Sequence, residues 1–296
     1  MKNNIYILIF SILVSYILFF PEAAIKASSL GLVLWYTKML PTLLPFAILS
    51  HIFVSTGILK HPLAAGFLFG FPLGSKITAQ LVEENKMEFI HGNRLFSICN
   101  NISPVFISEF VLHTSLQRPD LKIPTLLILY LPPLFYYGAD SFIYYNKKSD
   151  KTYCRKHLPC TKKTASRSQI NFKIIDAGIM SGFETLTKLG GYIMLFAIFA
   201  EMTTYLPFHN SLLNCLLIGL TELTNGISYI SNAPISFDIK YILIVMCTAF
   251  GGCSGIAQTA SMIKKTGFSM KKYIKTKIIC SLISGILAFL FVRLFL

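Results

Sequence analysis

Long runs of apolar residues alternate with short polar segments along most of the chain. Seven of these runs approach the roughly 20 residues that an α-helix needs to cross a hydrocarbon core of about 30 Å. They are residues 4–20, 39–58, 93–116, 121–145, 185–207, 239–263 and 271–295. The pattern predicts an all-α, polytopic membrane protein.

Two further apolar stretches contain too many breaks for an uninterrupted spanning helix. Residues 62–82 include three glycines and Pro72, and residues 211–230 include the polar sequence from Gly219 to Gly226. Irregular backbone is tolerated at membrane depth only where protein buries it or where it lines a cavity. We therefore predict that both stretches are re-entrant hairpins.

Two of the long runs are also interrupted near their centres. Asparagine and proline are poor helix formers, and glycine favours turns. The interruptions are Asn100-Asn101-Ile102-Ser103-Pro104 in residues 93–116 and Gly251-Gly252-Cys253-Ser254 in residues 239–263. These two runs are therefore predicted to be discontinuous helices.

Composition supports a membrane location. Of the 296 residues, 54% are hydrophobic and 14% are charged, whereas soluble domains carry about 25% charged residues. The net charge of +14 could suggest a nucleic acid partner, but the basic residues cluster beside the apolar runs. Because basic loops next to spans set membrane topology, we expect a lipid bilayer around the chain and no nucleic acid.

Two basic segments define the topology, since loops rich in lysine and arginine stay in the cytoplasm. Residues 146–173 hold nine Lys and Arg residues against one Asp, and residues 264–277 hold six lysines. Three apolar stretches separate these segments, so one of the three must fail to cross. We predict that residues 211–230 enter as a hairpin from outside. In the first half, residues 22–37 are predicted as an outer amphipathic stretch and 39–58 as an inward helix.

The two halves of the chain match at an offset of about 150 residues. The matching pairs are Thr37 with Thr187, Phe46 with Phe196, Gly70 with Gly219, and Asn100-Asn101 with Gly251-Gly252. In this topology the halves run in opposite directions, as in transporters whose substrate lies between two inverted repeats. The predicted units are an N-terminal transmembrane helix and outer stretch at 1–30, a first repeat at 31–145, a basic cytoplasmic linker at 146–173 and a second repeat at 174–296.

Other patterns leave alternatives open or argue against a chemistry. The N-terminal run is predicted as an uncleaved helix, with a signal peptide cleaved near Ala24 or Ala27 as the alternative. Cys154, His157 and Cys160 could ligate a metal, but they lie in the basic linker without a fourth ligand. The sequence has no phosphate loop, HExxH or GxSxG motif. We therefore expect no enzyme activity and no cofactor, and ATP-driven transport would need a partner chain.

Four motifs mark the breaks: GFPLGSK at residues 70–76, FSICNNISPVFI at 96–107, GLTELTNG at 219–226 and AFGGCSGIAQ at 249–258. They resemble motifs of the YlbJ (SpoVV) family of sporulation integral membrane proteins, part of the nucleoside-recognition Gate group. The resemblance implies a spore-forming bacterium and transport of dipicolinic acid across the outer forespore membrane. The wider group includes spore maturation proteins and is related to nucleoside transporters.

The breaks supply the donors that a small dicarboxylate needs. Broken helices expose backbone N–H groups at a partially positive end, and Asn and Ser side chains add neutral donors. The candidate substrate-binding residues are Asn100, Asn101, Ser103, Gly251, Gly252, Ser254, Ser75, Lys76 and Asn225. Structural roles stay open for several, since the asparagines can satisfy helix ends, Lys76 can extend to the interface and paired glycines can allow tight packing.

Acidic residues inside apolar segments often mark ion or proton paths. Glu222 lies in a hairpin break and is the candidate for binding a coupling proton or cation, or for holding Lys76 or a backbone N–H. Glu109 and His113 are four residues apart on one helix face, either as a structural pair or as a relay. Glu184 and Glu201 are expected nearer the interface.

These patterns favour a transporter or permease of a small anionic metabolite during sporulation. A non-transporting scaffold of spore assembly is the rival, although a scaffold needs no broken hairpins. A nucleoside carrier is the third alternative. A homo-oligomer or a partner among spore membrane proteins is compatible with each of them.

Overall fold

A computed structural model describes residues 2–58, 62–148, 170–205, 211–264 and 266–296. Helices joined by short turns make up these ranges, and no strand occurs in them. In chain order the helices are α1 Lys2–Phe19, α2 Pro21–Ser55, α3 Pro62–Phe69, α4 Leu73–Glu83, α5 Phe89–Phe96, α6 104–115, α7 Lys122–Lys148, α8 Phe172–Thr204, α9 Ser211–Thr221, α10 Leu223–Asn232, α11 Phe237–Phe250, α12 Gly252–Met262 and α13 Met270–Phe295. The predicted all-α class is confirmed.

Five stretches of the described chain are long and apolar enough to span a bilayer. They are Pro21–Ser55, Pro119–Tyr144, Phe172–Thr204, Phe237–Met262 and Met270–Phe295. Large side chains such as Phe135, Phe142 and Phe289 stay exposed on them, as expected of surfaces that face lipid. The direction of each span, the inversion of the two halves and the re-entrant placement of the hairpins stay predictions.

The N-terminal region departs from the sequence prediction. We expected an outer amphipathic stretch at 22–37, separate from an inward helix at 39–58. Instead, Pro21–Ser55 is one helix of 35 residues, with a π-helical turn at Trp35–Met39 joining its two parts. The domain boundary that we predicted at residue 30 therefore falls inside a continuous helix.

Packing between α2 and α8 explains this continuity. Ala24, Ala27 and Gly31 are buried on the face of α2 that contacts α8. A Cβ atom on Gly31 would lie 3.3 Å from the Cβ of Ala197. Small residues let two helices approach closely, so the first turns of α2 pack against a neighbour and continue directly into the apolar second part.

Each half of the described chain has the same order of elements. A long helix is followed by two short helices that pack on each other, then by an interrupted helix and a closing helix. In the first short pair, a Cβ on Gly74 would lie 2.9 Å from the Cα of Gly66. In the second, a Cβ on Gly226 would lie 2.2 Å from the Cα of Gly219. Both pairs are therefore tight helical hairpins whose arms meet at glycines.

One lysine that we assigned to the second basic loop belongs to the core instead. Helix α13 begins at Met270, and Lys277 within it is only 4% exposed. Its ammonium group donates to Oδ1 of Asn101 at 3.1 Å. Tyr273, Lys277 and Cys280 are all buried, and their spacing places them on one face of a helix. Helical periodicity thus turns Lys277 inward, although Lys271 and Lys275 in the same helix are exposed.

A charged cluster joins the two halves beside the basic segments. Arg94 Nε donates to Oδ2 of Asp140 at 2.7 Å, and Lys272 Nζ donates to Oδ1 at 3.0 Å. One carboxylate therefore binds a cation from each half. Most of the predicted linker, including Cys154, His157 and Cys160, lies outside the described residues, so the metal alternative considered for these three stays a prediction.

Candidate functional site

The two hairpins and the two interrupted helices each contain one break in the described chain, which gives two breaks in each half. They fall at residues 70–72, 97–103, 222 and 251. Gly70 has φ +74° and Gly251 has φ +86°, in the left-handed region that glycine enters without a steric penalty. Glu222 has extended backbone, with φ −138° and ψ 122°. A helix begins directly after each break, so each break is next to backbone N–H groups that have no partner within the helix.

All four breaks line one partly open space, which we call the central cavity and whose internal volume is about 50 Å³. The breaks and the helices that follow them supply Phe71, Ile102, Ser103, Phe106, Glu222, Leu223, Thr224, Gly251, Ser254, Gly255 and Gln258. The long helices α2 and α8 supply Met39, Leu43, Leu189 and Ile193. The wall is thus largely apolar with a few polar groups at the breaks, which is the usual composition of a small-molecule site.

Equivalent positions of the two halves face the central cavity. The pairs are Met39 with Leu189 and Leu43 with Ile193 at an offset of 150, and Ser103 with Ser254 at an offset of 151. The offset is the one found in the sequence repeat. The cavity therefore lies between the two halves, and each half contributes the same three positions to its wall.

Four of the predicted site residues line the central cavity and six do not. The four are Ser103, Glu222, Gly251 and Ser254. The six outside it are Asn100, Asn101, Gly252, Ser75, Lys76 and Asn225. These six have other surroundings within the protein.

The two asparagines use their amide groups to join the first broken helix to the second half. Nδ2 of Asn100 donates to Oγ1 of Thr259 at 2.7 Å and to Oη of Tyr273 at 2.9 Å. Nδ2 of Asn101 donates to the carbonyl oxygen of Ile98 at 2.7 Å, and its Oδ1 accepts from Lys277. Both predicted donors are therefore engaged within the protein.

The remaining residues outside the cavity also have protein partners. Nζ of Lys76 donates to Oγ of Ser181 at 2.7 Å and to Oγ1 of Thr185 at 2.6 Å, which ties the first hairpin to α8. Ser75 Oγ donates to the carbonyl of Pro72. Asn225 faces a separate cavity that Glu201 also lines. A Cβ on Gly252 would lie 3.3 Å from the amide nitrogen of Leu223, so glycine allows the two breaks of the second half to touch.

Glu222 caps the helix that follows it. Its Oε2 accepts from the backbone N–H of Asn225 at 2.7 Å and from Oγ1 of Thr224 at 2.6 Å. The residue is only 3% exposed. The sequence-based alternative that it holds Lys76 is wrong, because the ammonium of Lys76 binds Ser181 and Thr185 instead. The alternative that it holds a backbone N–H is confirmed.

Sequence reasoning missed Gln258, which shares the central cavity with Glu222. Its Nε2 donates to Oγ of Ser254 at 2.8 Å, while its Oε1 is buried without a hydrogen-bond partner. Gln258 is four residues after Ser254, and residues at this spacing share one face of a helix. That spacing within AFGGCSGIAQ could have identified it.

Comparison with known proteins found one similar membrane protein. No protein-family model and no solved structure matches the chain. The chain is similar to the sporulation integral membrane protein YlbJ of Bacillus subtilis (strain 168), with 28% identity over an alignment of 323 positions. The alignment covers 93% of this chain and 78% of that protein. This similarity agrees with the resemblance of the four sequence motifs to the YlbJ family.

Each of the four sequence motifs that resemble the YlbJ family contributes to the central cavity. Phe71 comes from the first motif, Ser103 from the second, Glu222 from the third and Ser254 from the fourth. Together with the apolar helices, the YlbJ similarity supports an integral membrane protein. The four motifs are far apart in sequence. Residues from all four therefore meet at the central cavity.

Proposed function

We propose that this chain is a membrane transporter of a small anionic metabolite during sporulation, with dipicolinic acid as substrate and the outer forespore membrane as its location. The observation that carries the proposal is the convergence of four helix breaks, two from each half, on one cavity. Broken helices around a site between two repeats are the construction of many secondary transporters. Similarity to a sporulation integral membrane protein supports the biological setting.

The donors of the central cavity support a small ligand. Its internal volume of about 50 Å³ is below the roughly 300–1,000 Å³ typical of small-molecule sites, so the two halves must move apart to admit dipicolinate. Ser103 accepts a bond from the N–H of Phe106, which leaves its hydroxyl proton available for a ligand. The N-terminus of α12 follows Gly251 in the wall, and its N–H groups favour negative charge. At the start of α10, the N–H of Asn225 is already bound by Glu222.

The charge of the wall limits how an anion can bind. No Lys, Arg or His lines the central cavity among the described residues, and Glu222 is its one acidic residue there. A dicarboxylate would therefore need a positive charge that does not come from the wall. An uncharged nucleoside is the second candidate, because the Glu222 carboxylate and the Gln258 carbonyl can accept bonds from sugar hydroxyl groups.

Uptake by purified protein in proteoliposomes distinguishes these functions. Labelled dipicolinate should accumulate with the wild-type chain and not with empty vesicles. Ser103→Ala and Ser254→Ala should each raise the KM for uptake roughly 10- to 100-fold, since a hydrogen bond to a charged group contributes about 1.5–3 kcal/mol. Ser50→Ala is the matched control, because Ser50 is buried and bonds only within its own helix.

Each other outcome contradicts a defined part of the proposal. Uptake of uridine without uptake of dipicolinate would replace the anion by a nucleoside. Transport of neither compound, together with normal dipicolinate content in spores that lack the gene, would favour the scaffold.

A further inference from the structure

Two oxygen acceptors in the wall of the central cavity lack a positive partner. One is the carboxylate of Glu222 and the other is Oε1 of Gln258, and both residues are 3% exposed. Gln258 uses its amide nitrogen to bind Ser254, and its oxygen has no hydrogen-bond partner. A buried acceptor without a partner costs free energy, so this pair points to a bound group that supplies positive charge.

Contacts within the protein do not neutralise Glu222. The ion pairs among the described residues involve Glu84, Asp120, Asp140 and Glu184, and none reaches the cavity. The two bonds to Oε2 come from uncharged groups. The N-terminus of α10 contributes a partial charge of only about half a unit.

We propose that Glu222 and Gln258, with the hydroxyl oxygen of Ser254, bind a monovalent alkali cation in the central cavity. A single carboxylate with neutral oxygens matches one positive charge. Calcium would require six to eight oxygen ligands with several carboxylates, and the described residues contain no cluster of three His, Cys, Asp or Glu residues that could supply them. A hard cation with oxygen ligands therefore fits the donor set.

The cation also supplies the positive charge that an anion needs and that no Lys, Arg or His of the described wall provides. Its role in coupling rests on the proposed transport function, whereas the cation site itself rests on the two acceptors alone. With the cation bound, the cavity beside the N-termini of α10 and α12 becomes neutral or positive, and a carboxylate can then approach. The cation is therefore expected to bind together with the anion.

The site is tested first without any substrate. The melting temperature of the purified full-length chain in detergent is measured in sodium, potassium or choline chloride at equal ionic strength. Sodium or potassium should raise it by several degrees relative to choline, because a ligand that binds only the folded state stabilises it. Equal values in all three salts overturn the cation site. A dependence on pH alone also overturns it, since a proton on Glu222 would then replace the cation.

Substitutions at the proposed ligands test whether the salt dependence of the melting temperature comes from this site. Glu222→Gln keeps an oxygen for the cap bonds but removes the charge, so the difference between the salts should disappear. Glu184→Gln is the matched control, because Glu184 is an exposed acid paired with Lys188, and it should retain the difference. Gln258→Met removes the carbonyl oxygen at similar length and should raise the half-maximal cation concentration about tenfold or more, equivalent to the loss of one bond. An unchanged half-maximal concentration in this variant excludes Gln258 as a ligand, even if Glu222→Gln fails to fold.

The coupling is tested separately by uptake of dipicolinate in sodium, in potassium and in choline. Uptake that needs either alkali cation supports coupling, and equal uptake in all three salts refutes it. A cation-dependent melting temperature without any uptake would leave the cation site intact and refute the proposed transport of dipicolinate. The failure of one proposal is thus distinguishable from the failure of the other.

Discussion

Substitution of Gly226 by alanine should disrupt the second hairpin. A Cβ at this position would lie 2.2 Å from the Cα of Gly219 and 2.8 Å from its amide nitrogen. Carbon atoms in contact are normally about 3.5–4.0 Å apart, so the two arms would have to separate by more than about 1 Å. Both clashing atoms belong to the backbone, so no side-chain rotation can relieve the contact.

The expected loss of stability follows from this geometry. Overpacking typically costs about 1–3 kcal/mol and more where backbone must move, while alanine recovers up to about 1 kcal/mol of helix propensity. We expect a net loss of about 1–3 kcal/mol, and each kcal/mol corresponds to a fall of about 2–4 °C in the melting temperature. The melting temperature in detergent is the measurement.

Two other glycines provide a graded comparison. A Cβ on Gly219 would meet the Sγ atom of Cys247 at 2.6 Å, which is the end of a side chain and can move. A Cβ on Gly191, in the exposed middle of α8, would meet no atom within 4 Å. Gly226→Ala should therefore be the most harmful, Gly219→Ala intermediate and Gly191→Ala neutral or slightly stabilising. If Gly226→Ala is as stable as Gly191→Ala, the arms of the hairpin do not meet as described.

Three further predictions concern contacts outside the cavity. Asn101→Leu should lower the free energy of unfolding by about 1.5–3 kcal/mol, because Lys277 loses the acceptor of its charge-assisted bond. The double variant with Lys277→Met should recover part of the lost melting temperature, and no recovery would refute the pairing. Lys76→Ala should speed amide exchange in α4 because the hairpin loses its bonds to Ser181 and Thr185, whereas Lys188→Ala, at an exposed pair, should not. In intact cells Cys154 should resist a membrane-impermeant thiol reagent, and labelling from outside would refute the cytoplasmic linker.

Local signals in the sequence predicted the positions of the breaks. Glycine, proline and paired polar residues interrupt apolar runs at 70–72, 99–104, 222 and 251, and their effect on backbone conformation acts within a few residues. The structure has breaks at these positions. The residues at the breaks could therefore be identified as candidates before their spatial arrangement was known.

Features that depend on distant partners could not be predicted in this way. The continuity of α2 depends on the packing of Gly31 against α8, about 160 residues further along the chain. The amide of Asn100 is engaged by Tyr273, which is 173 residues away. The burial of Lys277 depends on which face of α13 meets the first half. In each case the sequence reveals the residue type, whereas tertiary packing decides whether it faces a ligand, lipid or another helix.

The hairpin breaks of the two halves make the wall of the central cavity asymmetric. The break of the first half contributes the aromatic ring of Phe71, and the break of the second half contributes the carboxyl group of Glu222. The two halves therefore present different chemical groups to a ligand. A planar ligand with a ring and a charged edge is expected to bind in a single orientation, and the two halves cannot exchange their roles towards it.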